Sequence, residues 1–322
     1  MKSPQKISLA HIPTPLEEIS FENKKFLMKR DDYTGSDFLG NKIRKLEYLL
    51  YEAKNINAKY VFTCGGDQSN HARATASAAA KLGFKTRLYL WGSSKEKPTG
   101  NLFLDKMYGA EIVYLNKKEF DKVDEIMFED RKKLLKKGKE VYVIPAGGTS
   151  VLGIWGYISF INELKKQVDL KKVDGILAAC GSGGTAAGLL VGCALYNVDL
   201  KIYAVNVLHT ESEIRKKILQ IAEAARLEFG IKNKINPSLL KIVDGYSKEG
   251  YKSITKSKLK LITKFSRSTG ILLDPAYTGK AFIAYYEKFI KSNKKNKTIF
   301  LHTGGIFGSF PKRNDYIISI SQ

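Results

Sequence analysis

The chain has 322 residues, of which 43 % are hydrophobic, and this supply of apolar side chains excludes an intrinsically disordered protein. The formal net charge of +22 raises the alternative of a nucleic-acid-binding protein, but 45 of the 54 basic residues are lysine and they are spread along the chain. Because arginine is the usual residue for bidentate contacts to phosphate and guanine, we interpret the charge as a lysine-rich surface.

The sequence contains no apolar run of about 18 residues, so we expect no membrane span. The first residues lack the apolar stretch of a secretory signal. The three cysteines, Cys64, Cys180 and Cys193, form no CxxC pair and no metal-ligand spacing with the four histidines. We therefore predict a cytoplasmic protein without a bound metal.

Short runs rich in Val, Ile and Tyr alternate with longer segments of helical periodicity. The predicted strands are 60–64, 86–91, 111–115, 141–145, 174–180, 201–207 and 298–302. The predicted helices are 42–56, 70–82, 100–108, 119–137, 152–168, 185–196, 211–229, 254–269 and 279–291. This alternation predicts an α/β protein with parallel sheets that carry helices on both faces.

Glycine-rich turns follow four of the predicted strands. They lie at 64–70, 146–150, 180–188 and 302–308. In open α/β sheets, ligands bind beyond the carboxyl ends of the strands. A single such turn is typical of a tight connection, but the four together predict a ligand cleft built from several loops.

The segment CGSGGTAAG at 180–188 is the best candidate for an anion site. It contains Gly181, Ser182, Gly183, Gly184 and Thr185. Glycines allow the backbone to approach a ligand closely, and the N–H groups at a helix start point towards an anion. The segment also fits the dinucleotide pattern G-x-G-x-x-A, but no acidic residue ends the next predicted strand, which disfavours a nicotinamide oxidoreductase. The pattern therefore favours a site for a single phosphate group.

Lys42 is a candidate nucleophile. It follows Gly40 and Asn41 at a predicted helix start, and Lys45 lies three residues later on the same helix face. The positive end of a helix disfavours the charged form of a lysine and so favours a reactive amine.

Two further helix starts carry candidate binding residues. Ser69 and Asn70 are typical of a helix cap whose N–H groups could hold a carboxylate, and His71 follows them. Tyr277 and Thr278 come shortly after a proline at the start of another predicted helix.

Taken together, these segments resemble the pyridoxal-phosphate (PLP) enzymes of the D-cysteine desulfhydrase and 1-aminocyclopropane-1-carboxylate (ACC) deaminase family. The matching stretches are HIPTPLEE, GNKIRKLEYLL, GGDQSNHARATASAAAKLG, TGNLFLDKMYGAEI, YVIPAGGTS, GSGGTAAGL, LLDPAYTGKA and LHTGG. The resemblance implies the tryptophan-synthase-β-like PLP fold (fold type II), with two α/β lobes and the cofactor between them. It places a small domain at 45–152 and a large domain at 1–44 plus 153–322.

The resemblance also implies roles for single residues. Lys42 would form the Schiff base with PLP, and Lys45 would contact its phosphate together with the loop from Gly181 to Thr185. Asn70 would donate a hydrogen bond to the 3′-oxygen of PLP. Thr278 falls at the position that contacts the pyridine nitrogen.

On the substrate side, the resemblance implies that Ser69, Asn70 and His71 hold the carboxylate and that Tyr277 lies beside the substrate. The predicted catalytic residues are Lys42, Tyr277 and Ser69. ACC deaminases of this family resemble the chain but have Glu where it has Thr278. A carboxylate there would keep the pyridine nitrogen protonated, whereas a neutral hydroxyl gives a weaker electron sink.

A weaker sink suffices when a good leaving group departs from Cβ, so Thr278 favours β-elimination. The predicted reaction converts D-cysteine to pyruvate, hydrogen sulfide and ammonia, with Lys42 removing the α-proton. ACC deaminase, cysteate sulfo-lyase and D-serine-type ammonia-lyase activities remain alternatives. The resemblance further implies that the protein forms a homodimer. Its ligand would be a small amino-acid substrate, and we expect it to bind neither nucleic acid nor a membrane.

Overall fold

The computed structural model describes residues 3–250, 253–292 and 297–320. The strands are β1 (Leu16–Phe21), β2 (Lys24–Arg30), β3 (Tyr60–Gly66), β4 (Lys85–Trp91), β5 (Glu111–Leu115), β6 (Val141–Val143), β7 (Gly175–Cys180), β8 (Lys201–Asn206), β9 (Leu240–Val243) and β10 (Thr298–His302). The α-helices are α1 (Lys42–Asn55), α2 (Asn70–Lys81), α3 (Asn101–Met107), α4 (Lys117–Phe120), α5 (Val123–Leu135), α6 (Trp155–Lys165), α7 (Gly184–Tyr196), α8 (Glu211–Glu228), α9 (Lys256–Thr269), α10 (Thr278–Tyr285) and α11 (Arg313–Ile320).

The strands form two sheets. The larger sheet has the order β1-β2-β10-β7-β8-β9 and combines strands from both ends of the chain. Its strands are parallel except for the antiparallel pair β1–β2. The smaller sheet has the order β5-β4-β3-β6 and is entirely parallel. The predicted α/β class with parallel sheets is thus confirmed, while the domain boundaries at 44/45 and 152/153 stay predictions.

Helices cover both faces of each sheet because the strands are apolar on both sides. In the larger sheet, α6, α7 and α8 pack on one face, and α9 and α10 pack on the other through Phe265 and Phe282. In the smaller sheet, α1 and α2 pack against Val61, and α5 packs against Phe62 on the opposite face. None of the helices in the described ranges combines the length and apolarity that a membrane crossing requires.

The predicted strands and most predicted helices lie within a few residues of the observed ones. One prediction is wrong in detail: the helix expected at 119–137 is two helices, α4 and α5. A capping box formed by Asn116 and Glu119 starts α4 earlier than expected. The hairpin β1–β2 was not predicted. Its turn at Glu22 and Asn23 takes positive φ at both residues without the usual glycine.

Helix α1 connects the two sheets. It packs against α6 so closely that a Cβ on Gly156 would lie 2.4 Å from the carbonyl oxygen of Arg44. The buried Arg44 guanidinium bonds to the carboxylates of Asp31 and Glu163, and Lys29 also pairs with Glu163. These contacts fix the start of α1 beside the carboxyl ends of β3, β7 and β10.

Candidate active site

A cavity of about 400 Å³ lies where these strand ends meet. The predicted site residues that line it are Lys42, Lys45, Ser69, Asn70, His71, Gly181, Ser182, Gly183, Gly184, Thr185 and Tyr277. Thr278 is the predicted site residue that does not line it. The structure therefore brings together side chains from four segments that are far apart in the sequence.

Lys42 begins α1 and turns its ammonium group into the cavity. Its Nζ donates a hydrogen bond to Asn41 Oδ1 at 2.9 Å. Burial lowers the pKa of Lys42 to about 8; the Asp274 and Cys180 side chains oppose this shift, and Arg73 adds to it. A substantial fraction of this amine is therefore neutral slightly above physiological pH.

Lys45 is a buried residue of α1 whose Nζ lies beside the start of α7. Its Nζ donates to the carbonyl of Gly147 at 3.2 Å. Its side chain is almost fully buried, and no carboxylate in the described ranges forms an ion pair with it. Burial and the neighbouring Lys42 both lower the pKa of Lys45. Because an unpaired buried charge is costly, this position indicates an anionic ligand.

The glycine-rich loop forms the cradle beside Lys45. Gly183 precedes α7 in the left-handed conformation, with φ of +88°, which favours glycine. A Cβ on Gly184 would lie 2.6 Å from Lys45 Nζ and 2.6 Å from Thr149 Oγ1. The N-terminus of a 13-residue helix and the Nζ of a lysine thus converge on one small volume.

Ser69 and Asn70 cap α2 and line the opposite side of the cavity. Ser69 Oγ accepts from the Ala72 N–H at 3.1 Å, so its own proton remains to be donated. Asn70 Oδ1 accepts from Asn101 Nδ2 at 3.0 Å. This bond fixes the orientation of the Asn70 amide and leaves its N–H groups for a ligand oxygen.

His71 is buried beside both lysines. The Thr63 hydroxyl donates to the Ile144 carbonyl, so His71 Nε2, 2.9 Å away, is the donor to Thr63 Oγ1. Burial, Lys42 and Lys45 lower the pKa of His71 well below its ordinary value. The ring is therefore neutral, and it can contribute hydrogen bonding but no charge to carboxylate binding.

Tyr277 precedes α10, and its ring lies against Gly181. Its position depends on Asp274, whose Oδ2 accepts the N–H groups of Ala276 and Tyr277, both at 2.9 Å. Thr278 lies directly behind. Its hydroxyl donates to Asp274 Oδ1 at 2.7 Å, and the residue is completely buried. The expected contact of Thr278 with a pyridine nitrogen therefore stays a prediction.

Asn41 and Thr149 are among the residues at the cavity or its cradle that the sequence reasoning missed. Asn41 bonds to both Lys42 and Thr185, with 3.1 Å between its Nδ2 and Thr185 Oγ1. Thr149 lies 2.7 Å from the Ser182 hydroxyl. The glycine-rich turn at 146–150 was a signal for Thr149, but only the fold places that turn beside the loop at 181–185.

These residues fit PLP. The unpaired Lys45 at the start of α7 matches a phosphate group, the Lys42 amine with its lowered pKa matches an aldehyde, and the oriented Asn70 amide matches a ring oxygen. The described residues include no group of three or more His, Cys, Asp or Glu side chains that could hold a metal ion.

Comparisons with known proteins agree with this fit. The family model for the pyridoxal-phosphate dependent enzymes matches residues 7–304. A provisionally named ACC deaminase of Thermotoga maritima is 40 % identical over 309 residues, which cover 95 % of this chain and 97 % of that protein. A mitochondrial bifunctional D-cysteine desulfhydrase/ACC deaminase of Arabidopsis thaliana is 35 % identical over 323 residues, with coverage of 95 % and 79 %.

The fold has a close counterpart among solved structures. A crystal structure of an ACC deaminase homologue matches with a TM-score of 0.89 and 35 % identity, and the match covers 98 % of this chain and 96 % of that chain. With the family model and these identities spanning nearly the whole chain, the protein belongs to the ACC deaminase/D-cysteine desulfhydrase family of PLP-dependent lyases and has the type II fold of that class.

Proposed function

We propose that the protein catalyses β-elimination from a small amino acid and converts D-cysteine and water to pyruvate, hydrogen sulfide and ammonia. One observation carries the proposal: the Lys42 amine, with a pKa lowered to about 8, shares one cavity with the N-termini of α2 and α7. The amine can hold a proton near neutral pH, and the two helix ends provide separate sites for anions.

In this proposal, residues on different sides of the cavity bind different parts of the cofactor and substrate. The Gly181–Thr185 loop and Lys45 bind the cofactor phosphate, and Ser69 and Asn70 orient the substrate carboxylate. The Lys42 amine removes the proton from the substrate Cα. Tyr277, which lines the cavity beside Gly181, gives a proton to the departing sulfur in this proposal. Bound PLP supplies the electron sink for the cleavage of the Cα–H bond.

The residue at position 278 supports elimination of a Cβ substituent. Thr278 is neutral, and in this proposal its hydroxyl, which here donates to Asp274, contacts the pyridine nitrogen when PLP is bound. A neutral partner at the pyridine nitrogen makes PLP a weaker electron sink, which suffices when a leaving group departs from Cβ. Opening a cyclopropane ring has no such leaving group, so this residue favours D-cysteine over ACC.

ACC deamination is the second candidate, since the Thermotoga maritima relative carries that name and the Arabidopsis thaliana relative is named for both activities. The experiment is a panel of D-cysteine, L-cysteine, ACC, L-cysteate and D-serine with the PLP-loaded enzyme. Sulfide, sulfite, pyruvate and 2-oxobutyrate are measured separately. We expect the highest kcat/KM for sulfide release from D-cysteine. A higher kcat/KM for 2-oxobutyrate release from ACC would contradict the proposal.

The proposal includes a cytoplasmic homodimer. Sedimentation of the PLP-loaded enzyme at several concentrations tests the assembly, and a mass near twice the 36.1 kDa of one chain is expected. A monomer at all concentrations would contradict this part without affecting the reaction.

A further inference from the structure

Arg73, on the second turn of α2, lies outside the set of residues that line the cavity. Its side chain is completely buried. Burial lowers the pKa of Arg73 to about 10, and the nearby Tyr108, Asp105 and Asp37 oppose that shift. The guanidinium therefore remains charged at neutral pH. A buried charge of this kind needs hydrogen-bond acceptors, and its acceptors are backbone carbonyls of one short segment.

Three successive carbonyls converge on this guanidinium. Nη1 donates to the carbonyl oxygens of Asp37 at 2.6 Å and Phe38 at 2.8 Å, and Nη2 donates to that of Leu39 at 2.9 Å. Leu39 has a φ of +28°, which is unfavourable for a residue with a side chain. The three bonds hold this conformation, and Gly40, Asn41 and Lys42 follow directly.

The Nε of Arg73 connects to the other side of the cavity. Arg73 Nε donates to Asn101 Oδ1 at 3.1 Å, and Asn101 Nδ2 donates to Asn70 Oδ1 at 3.0 Å. Asn101 is completely buried. One chain of hydrogen bonds therefore runs from the α2 cap, through Asn101 and Arg73, to the segment that carries Lys42.

We propose that Arg73 is a positioning residue that fixes the segment 37–39, and with it the Lys42 amine, relative to the carboxylate-binding start of α2. The inference rests on the proposed role of Lys42. An amine that removes a proton from Cα works only at the correct distance from a substrate held by Ser69 and Asn70, and a displacement of about 1 Å can cost on the order of 100-fold in rate.

Arginine is required for this task because its planar group offers five donors in fixed directions, whereas lysine offers three donors on one atom. Arg73→Lys keeps the charge but cannot serve three carbonyls and Asn101 together. We expect kcat to fall by roughly 10–100-fold while KM changes by less than about threefold, because Ser69 and Asn70 remain in place. An unchanged kcat would overturn the proposal.

Hydrogen exchange supplies a readout that does not depend on activity. The N–H groups of Leu39, Gly40 and Asn41 donate to Gly35 O, Thr34 Oγ1 and Thr303 O, respectively. In Arg73→Lys, we expect these three amides to exchange at least about tenfold faster while the amides of α7 keep their rates. Unchanged exchange at 39–41 would contradict the proposed restraint.

The matched control is Arg226→Lys on α8. Arg226 is partly buried and also donates to a backbone carbonyl, but its partners are Ile231 and Glu223 rather than the segment 37–39. This variant should lower the melting temperature and leave exchange at 39–41 and kcat close to those of the parent. If both variants lowered kcat equally at equal loss of stability, the effect of Arg73 would be merely structural and the proposal would be wrong.

If Arg73→Lys does not fold, hydrogen exchange of the parent enzyme tests the proposal instead. The amides of residues 39–41 should then exchange as slowly as the amides of residues 73–76 in α2. Exchange at 39–41 that is more than about 100-fold faster than at 73–76 would overturn the proposal. Lys42→Ala separates the two hypotheses. It should abolish turnover with exchange at 39–41 unchanged, whereas retained turnover would refute the proposed function and leave the exchange result standing.

Discussion

The Nζ atom of Lys45 lies 2.6 Å from the position that a Cβ on Gly184 would occupy. Because Gly184 is the first residue of α7, this distance shows that the lysine is stacked directly on the positive end of the helix. This position disfavours the charged form of Lys45, in line with its lowered pKa, and an anion beside it would restore that form. The pair is the structural reason to assign this end of the cavity to the phosphate of PLP.

Gly184→Ala should weaken PLP binding without unfolding the protein. The added methyl group meets the side chains of Lys45 and Thr149, so Lys45 moves away from the phosphate position. The loss of one charge-assisted hydrogen bond, about 1.5–3 kcal/mol, predicts a roughly 10–100-fold higher Kd. Titration of the PLP-free protein, followed by visible absorbance, measures it. Gly308→Ala is the control, because nothing lies within 4 Å of its added Cβ; equal Kd values for both variants would contradict the assignment.

Lys42 should react as an amine at a lower pH than surface lysines. Its pKa is lowered to about 8 by burial, so in the PLP-free protein its acylation rate should rise through about pH 8 and level off above it. Peptide mass spectrometry after brief labelling measures this midpoint. Lys25 is the internal control, because its hydrogen bond to Glu18 raises its pKa. Coinciding midpoints for Lys42 and Lys25 would show that the Lys42 amine is not perturbed.

Asp274→Ala should lower both stability and turnover. The carboxylate accepts the N–H groups of Ala276, Tyr277 and Thr278, and its loss leaves buried donors unpaired, at a cost of roughly 2 kcal/mol or more. Because Asp274 also raises the pKa of Lys42, the labelling midpoint of Lys42 should fall below that of the parent. Thermal unfolding and the labelling assay measure the two effects.

The control for this variant is Asp169→Ala. Asp169 accepts one backbone N–H, from Lys171, at an exposed turn. Its loss should cost about 0.5–1 kcal/mol and leave turnover and the Lys42 midpoint unchanged. Turnover of Asp274→Ala equal to that of Asp169→Ala would show that Tyr277 keeps its position without Asp274.

Glu163 should make the protein sensitive to acid. Burial raises the pKa of Glu163, but hydrogen bonds and charges from Arg44 and Lys29 outweigh it and lower the value to about 2. A lowered pKa gives stability above the unfolded-state value near 4.3 that is lost as the pH falls towards 2, about 2–3 kcal/mol in full.

Glu163→Gln tests this contribution, since it removes the charge and keeps the shape. The variant should be less stable at pH 7, and its free energy of unfolding should fall less between pH 5 and pH 3 than that of the parent. Urea unfolding at each pH gives both values. Parallel pH profiles for the two proteins would show that another carboxyl group causes the acid sensitivity.

Much of the fold followed from local sequence patterns. The strands β3 to β8 and β10 are apolar runs bounded by turn residues, and the long helices have clear periodicity, so their positions were predictable. The hairpin β1–β2 was not, because charged residues alternate through it and its turn at Glu22–Asn23 lacks glycine. Local propensity there is weak, and pairing with β10 decides the structure.

The candidate site shows the same division. Position at a predicted helix start identified Lys42, Ser69 and the loop at 181–185 as candidates. The resemblance to a known family gave their expected roles. The sequence alone determined which elements form and which helix starts could hold an anion, since these depend on neighbours within a few residues. Only the tertiary structure decided that Lys45 stacks on Gly184, that Thr278 turns to Asp274, and that Arg73 reaches the carbonyls of 37–39. Such contacts join distant segments, and they form because buried polar groups take whichever partners the packed sheets bring within reach.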